Sequence, residues 1–386
     1  MTFSLEAIHY ETLHPVRIEV ENGIISAVSE LDKTGSSAPI FLVAPGLIDN
    51  QVNGYAGVDF SGEELRVEDI LKATISMWKT GVTTYLPTLV TNTPHNLIRN
   101  FRVLADALSD ASVQQSVPGF HLEGPWLSKL AGFRGCHRED QLSLPDLAAM
   151  IAYQEAAKGK ILQLTIAPEL EGAMEMIRHC KSNGMMVAMG HSDAGSSLIR
   201  RACDEGLTLS THLGNGCANM IHRHNNPIWP QLAYDQLIPT VIADGHHLTP
   251  EELMVFLKVK GAERLILTSD ITYLSGMPAG RYHFAGAPVV LTEDGMLKSA
   301  DQDLLAGASL PLLKGVENMN RFTGCTLGEA INMASGNVAR VFGWVDRGAL
   351  LPGRRADLVL LASEAGHLTV QKTFVAGNVV FEENLF

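Results

Sequence analysis

Along the middle of the chain, short β-branched and apolar runs alternate with stretches whose apolar positions recur every three to four residues. That alternation predicts a parallel βα fold. Eight runs read as strands: Gly46–Gln51, Val82–Thr88, Val117–Glu123, Ile161–Ala167, Met185–Gly190, Leu207–Thr211, Ile238–Ala243 and Arg264–Ser269. Helical stretches lie between them. Arg66 to Lys79 brings Val67, Ile70, Leu71, Thr74 and Met77 near one face. Thr249, Pro250 and Glu252 supply an N-cap, a first-turn proline and a capping-box acid for the helix that follows. Thr326 and Glu329 repeat that signal ahead of Ala330–Phe342, and Pro145 suits the first turn of Asp146–Lys158. Eight βα units predict an α/β fold of the TIM-type (β/α)8 class rather than an open doubly wound sheet.

The two ends of the chain are patterned differently. Arg17–Val20 and Ile24–Val28 flank a Glu21-Asn22-Gly23 turn, and Thr373–Val375 and Val379–Phe381 flank Ala376-Gly377-Asn378. Such turns between apolar runs are hairpin signals. We therefore expect residues 1–45 and 346–386 to form one discontinuous β-sandwich domain beside a barrel domain over 46–345.

Composition narrows the function classes. With 46% hydrophobic and 18% charged residues in 386, the chain is neither disordered nor coiled coil, and it can bury a large core. The 42 acidic against 29 basic side chains leave a net charge of −13, which argues against a nucleic-acid partner. No apolar run reaches bilayer length, and Glu6 interrupts the start where a signal peptide would be apolar. A cytoplasmic protein with no membrane partner is expected. Five widely spaced cysteines without a Cys-x-x-Cys pair read as reduced thiols.

In a TIM barrel, functional groups sit at the C-terminal ends of the strands. The first strand ends Asp49-Asn50-Gln51-Val52-Asn53, and the third ends His121-Leu122-Glu123. The fifth runs into His191, the sixth into His212, the seventh into Asp244-Gly245-His246-His247 and the eighth into Asp270. Glu, His and His with an Asp nearby suit a catalytic zinc or iron, with three protein ligands and a position left for water. Singly, each residue has a plainer reading: framework hydrogen bonds for a strand-end histidine, capping or salt bridging for Glu123, loop capping for Asp270. Jointly they favour the metal. Ser309 is read as an N-cap, Trp126 as packing, and Lys79, Lys258 and Lys260 as solvated.

These motifs carry a resemblance. Pro45-Gly-Leu-Ile-Asp-Asn-Gln-Val-Asn-Gly54, His121-Leu-Glu-Gly-Pro-Trp126, Gly190-His-Ser192, Thr211-His-Leu213, Ala243-Asp-Gly-His-His247 and Thr268-Ser-Asp270 stand in the order and spacing of N-acetylglucosamine-6-phosphate deacetylases, within the amidohydrolase superfamily. Gly276–Tyr282, Leu305–Gly307, Ala334–Asn337 and Gly353–Leu358 extend the similarity over nearly the whole chain. The resemblance implies that Glu123, His191 and His212 hold one divalent metal, zinc first, with iron, manganese or cobalt as alternatives. It implies Asp270 as general base and then acid. His137 and His247 become substrate contacts, with the Asp-Gly-x-His spacing selecting His247 over His246. Gln51 and Asn53 occupy the place of the His-x-His pair that binds a second metal in most amidohydrolases. A homodimer and a small amino-sugar substrate are further implications.

The loop after the sixth strand departs from the family's Asn-Ala-Met stretch. It reads Gly214-Asn215-Gly216-Cys217 and continues through His222-Arg223-His224-Asn225-Asn226. Asn215 and Gly216 are candidates to present amides to a sugar phosphate, and Arg223 to pair with it. The same loop suits unphosphorylated sugar hydroxyls, a carboxylate, or a plain polar surface. Deacetylation of an unphosphorylated or differently decorated N-acyl amino sugar therefore stays open. So does a cyclic-amide hydrolase or aminohydrolase of the same superfamily, or a non-catalytic barrel scaffold.

Overall fold

A computed structural model describes residues 2–31, 41–284, 286–301 and 304–383; residues 1, 32–40 and 384–386 of the expected end domain lie outside them. All eight expected barrel runs contain strands, the first shifted by one residue, the second extended and the other six trimmed: Leu47–Val52, Val82–Val90, Phe120–Glu123, Ile161–Ile166, Met186–Met189, Leu209–Ser210, Ile238–Val241 and Ile266–Leu267. They form one sheet in which each pairs in parallel with the next. The sheet closes on itself through a bridge between Val52 and Ile271. Side chains fill the barrel in layers. Ile48, Ala188, Leu209 and Ile266 pack on Val338 and Ala339 at the floor. Above them lies a polar layer: the buried His121 ring meets Thr165 Oγ1 at 2.8 Å and Thr88 Oγ1 at 3.3 Å, and Asn50 Nδ2 donates to Gln163 Oε1 at 3.0 Å. Burial pushes the His121 pKa down to about 4 against the opposing pull of the Glu123 charge, so the ring is neutral.

Helix starts follow their capping residues. Thr249 and Thr326 each form the expected reciprocal box with Glu252 and Glu329. The helix expected over Asp146–Lys158 runs from Leu147 to Ala156, with Pro145 ahead of its first turn and Asp146 as the cap, whose carboxylate accepts from the amides of Ala148 and Ala149. The stretch expected as Ala330–Phe342 breaks into Leu327–Met333 and Gly336–Val341. Two further expectations are corrected. Ser309 caps no helix: its hydroxyl donates to Gly295 O, and the next helix begins at Leu312. Lys260 is buried rather than solvated, donating from Nζ to Tyr234 O and Leu237 O, and burial pushes its pKa down to about 8. Lys79 and Lys258 are exposed, and Trp126 is buried against Tyr153.

The chain ends form one seven-stranded sheet from Thr2–His9, Pro15–Glu21, Ile24–Glu30, Leu42–Pro45, Leu358–Glu364, His367–Val375 and Asn378–Glu382. The sheet folds over: Phe3 stacks on Phe374 at 5.5 Å, and the turn at Asn22 and Gly23 meets the turn at Ala376 and Gly377. Positive φ at all four residues is what a two-residue hairpin turn of matching twist demands. A three-stranded antiparallel sheet, Gly280–Phe284, Ala287–Leu291 and Leu297–Ser299, was not foreseen and packs around Leu274, Val289 and Leu297.

Asp357 joins sheet to barrel. Its buried carboxylate pairs with Arg355 and accepts from Ala376 N at 2.9 Å, while its carbonyl accepts from Gly46 N at the foot of the first barrel strand. Replacing Asp357 with Ala strands that guanidinium and the Ala376 N–H while leaving the carbonyl bond to Gly46 in place, and we expect a loss of about 3 kcal/mol in urea unfolding.

Candidate metal centre

Glu123 ends the third barrel strand, and His191 and His212 follow the fifth and sixth. Both histidines adopt left-handed backbone, φ 49° and 34°, which turns the chain sharply at the strand end and is strained for a side chain with a Cβ. The turns bring His191 Nε2 to 3.5 Å and His212 Nε2 to 3.2 Å from Glu123 Oε1. All three ligand atoms lie within 4.8 Å of one another, in the one such cluster found among the described residues.

The hydrogen bonding says what this cluster lacks. His191 Nδ1 lies 2.9 Å from Phe133 O, a pure acceptor, so Nδ1 carries a proton and Nε2 is the ring atom left to face the carboxylate. His212 Nδ1 is buried without a partner. Two ring nitrogens facing a carboxylate need positive charge between them. In the bare protein that charge comes from protons. Burial alone would raise the Glu123 pKa and lower that of His212; their mutual interaction instead holds Glu123 well below the carboxylate range and His212 above its ordinary value. The donor set therefore fits a divalent cation.

Asp270 follows the eighth strand, also in left-handed backbone at φ 52°. Burial, reinforced by the negative charge of Glu123, pushes its pKa up to about 6. Asn53 Nδ2 donates to Asp270 Oδ1 at 2.7 Å, leaving Oδ2 free for chemistry. Gln51, fully buried, has neither amide atom paired. Amides at 51 and 53 are poor ligands compared with imidazoles, so these positions offer no second Glu/His/His-like set.

A profile of the amidohydrolase family matches residues 42–380. The N-acetylglucosamine-6-phosphate deacetylase of Bacillus subtilis (strain 168) is 31% identical, over 94% of this chain and 92% of its own. The N-acetylgalactosamine-6-phosphate deacetylase of Escherichia coli O157:H7 is 32% identical over 94% of both chains. The chain belongs to the N-acetylglucosamine-6-phosphate deacetylase family of amidohydrolases. Its fold is that of the Mycobacterium smegmatis family member solved as a mutant with N-acetyl-D-glucosamine-6-phosphate, at a TM-score of 0.88 and 28% identity over 98% of this chain and 99% of that one.

Other positions singled out by the family pattern surround the cluster unequally. The His137 ring packs edge-on against His191 with centroids 4.4 Å apart, and its Nδ1 meets Thr91 Oγ1 at 2.8 Å. Burial and the neighbouring His191 push its pKa down to about 3, so it faces the site as a neutral ring. His247 is held at Nδ1 by Asp244 at 2.8 Å, whereas His246 turns away toward Asp294 O. Asn215 donates its backbone N–H to His212 O, and its side-chain amide nitrogen is buried without a partner. Arg223 is exposed, on a loop tied down by Trp229 Nε1 donating to its carbonyl and by His222 Nδ1 accepting from the amides of His224 and Asn225.

Three carboxylates have roles that sequence reasoning did not assign: the buried Asp244 behind His247, the buried Asp49 beside the eighth strand, and the half-buried Glu169 after the fourth, which went unnoticed altogether. Glu169 accepts from Ser192 Oγ at 2.6 Å and Asp193 N at 2.8 Å, bracing the turn that carries His191. The signal for Glu169 was its place at a barrel strand end, the same rule that selected Glu123.

The His191 ring is flanked by two glycines. A Cβ at Gly216 would lie 3.0 Å from its Nδ1, and one at Gly135 would lie 2.8 Å from its Cε1. Gly216→Ala should therefore tilt the ring and weaken metal binding about 10-fold in a metal titration. Gly159→Ala carries a similar backbone penalty at φ 75° with nothing within 4 Å, and should leave metal affinity unchanged.

Proposed function

We propose that the protein hydrolyses the N-acetyl amide of an N-acetylhexosamine-6-phosphate, N-acetylglucosamine-6-phosphate first, releasing acetate and the amino sugar phosphate. The observation that carries this reading is the half-buried Asp270, its Oδ1 occupied by Asn53, beside the Glu123, His191 and His212 cluster. We take those three residues as the ligands of one divalent cation, zinc in preference to iron, manganese or cobalt. Bound there, the cation would supply Lewis acidity, lowering the pKa of water toward neutrality and polarising the amide carbonyl. Asp270 Oδ2 accepts the proton from the attacking water and then delivers it to the departing nitrogen, since an amide leaves poorly as an anion. His137 and His247 contact the acetyl and sugar groups. Asn215 and Gly216 offer amides to the phosphate, and Arg223 pairs with it. Gln51 and Asn53 stand where a second metal would bind, and Asn53 has become a partner of the base.

In this reading residues 46–345 are the catalytic unit, and 1–45 with 346–386 buttress it. Among the described residues no helix is long and apolar enough to cross a membrane. A cytoplasmic homodimer acting on a small sugar phosphate, without nucleic-acid or membrane partners, is the assembly we propose. The loop His222–Asn226, exposed over His222–Asn225, supports one second reading, the same chemistry on an unphosphorylated sugar.

Asp270→Asn should retain metal and lose turnover by about 100-fold or more, whereas His191→Ala should lose the metal too, as measured by elemental analysis beside acetate release. Full activity in Asp270→Asn would sink the mechanism. The base works as its carboxylate, so kcat/KM should rise with pH through an acid limb. Burial and Glu123 set that limb near pH 6, a bound cation draws it lower by cancelling the Glu123 charge, and Asp270→Asn should abolish it. Arg223→Ala should raise KM about 10-fold for N-acetylglucosamine-6-phosphate and barely move it for the free sugar. Equal effects on both would remove Arg223 from the phosphate role.

A further inference from the structure

The barrel closes at a seam between its first and eighth strands, and little backbone pairing holds it. The main-chain bonds there are Asp270 N to Gln51 O at 3.1 Å and Asn53 N to Ile271 O at 2.8 Å. Just below them a side chain takes over. Asp49, fully buried on the first strand, accepts from Thr268 Oγ1 at 3.0 Å and Ser269 N at 3.2 Å on the eighth, and from Ser269 Oγ. Ser269 Oγ in turn accepts from Ile271 N at 3.3 Å, so its own proton is directed to Asp49. Gln51 N, at 3.4 Å, is a fourth donor. Every neighbour in this set donates, which is the environment of an ionised carboxylate. Burial pushes the Asp49 pKa up to about 6, and the four donors act against that rise.

The residue that follows this grip is Asp270, in left-handed backbone at φ 52° that is strained for a side chain with a Cβ and must be imposed by its surroundings. Alternate residues of one strand share the task. Asp49 fixes the two residues before Asp270, Gln51 O takes its N–H, and Asn53 takes its Oδ1. Asp49 itself touches neither the metal ligands nor the mouth where substrate enters in the mechanism above.

We propose that Asp49 is a positioning residue for catalysis: by anchoring Thr268 and Ser269 across the barrel seam, it holds Asp270 in the one backbone turn that points Oδ2 at the reacting water. This rests on Asp270 acting as the base.

The test uses the full-length, metal-loaded protein with N-acetylglucosamine-6-phosphate. Asp49→Asn should lower kcat about 100-fold, the cost of misplacing a reacting group, with KM unchanged within about threefold. Metal content per chain should stay at the wild-type value. In an Asp270→Asn background the same substitution should cause no further loss, because there is no base left to misplace. A purely structural role would lower the melting temperature while leaving kcat of the folded, metal-loaded enzyme intact, and that result overturns the proposal. So does a loss that multiplies with that of Asp270→Asn. If Asp49→Asn does not fold, Ser269→Ala keeps the carboxylate, deletes one donor, and should show the same non-additivity with a smaller drop of about 10-fold. A wild type that releases no acetate overturns the deacetylase reading and this inference with it. An active wild type matched by Asp49→Asn overturns the inference alone.

Discussion

Everything at the mouth of this barrel is arranged around one buried charge, the carboxylate of Glu123. A carboxylate withdrawn from water is expensive unless positive charge and hydrogen-bond donors surround it. Here two imidazoles face it, and at least one of them is fixed by a backbone carbonyl that leaves its Nε2 to face the carboxylate. Without a metal, protons must supply the positive charge that this carboxylate needs, and a divalent cation would serve all three groups at once. The same need explains why strained backbone is tolerated at this spot. Of the nine non-glycine residues with positive φ among those described, His191, His212 and Asp270 are three, and each lies just past a barrel strand. The strain is retained where the geometry of a site demands it.

The rest of the fold makes that strain affordable. Beneath the cluster, the polar layer of His121, Thr88, Gln163 and Thr165 keeps the barrel interior filled with interlocked hydrogen bonds, and below it an apolar floor rests on Val338 and Ala339. Outside, Glu169 braces the His191 turn and Asp244 braces His247. Carboxylates thus recur in a consistent role: each accepts from the backbone or side chains of a turn that carries a functional group. Such partners make the geometry rigid before any ligand arrives, which is where electrostatic preorganisation originates.

How much of this could be read from the chain alone follows from the range of the interactions. The eight strands were legible because hydrophobic alternation is local, and the helix starts at Thr249 and Thr326 because a capping box spans four residues. The cluster was legible because a barrel turns strand ends into neighbours, so residues 68 and 21 positions apart in sequence, from Glu123 to His191 and on to His212, meet. What escaped notice depends on distant partners. Nothing near Lys260 in sequence announces that the carbonyls of Tyr234 and Leu237 will receive its ammonium. Asp49 meets Thr268 and Ser269 more than 200 residues away, so it read as one more polar residue beside a motif. Ser309 looked like a cap because helix Leu312–Thr323 begins close by, yet its hydroxyl is claimed by Gly295 across a loop.

The contrast between strand ends and loops also accounts for where this chain departs from its relatives. Groups that make or break bonds are fixed by the barrel, and a change in any of them disturbs a network of buried partners. The loop after the sixth strand is constrained differently. Its inner end is pinned, since Gly216 must pass within contact distance of His191 and Asn215 is bonded to His212 O. Its outer end, His222–Asn225, is exposed and held mainly by its own turn. Substitutions there alter charge and hydrogen-bonding reach without touching the cluster. A barrel built this way can keep the buried cluster at its strand ends while the outer loop is revised, because the two share few partners.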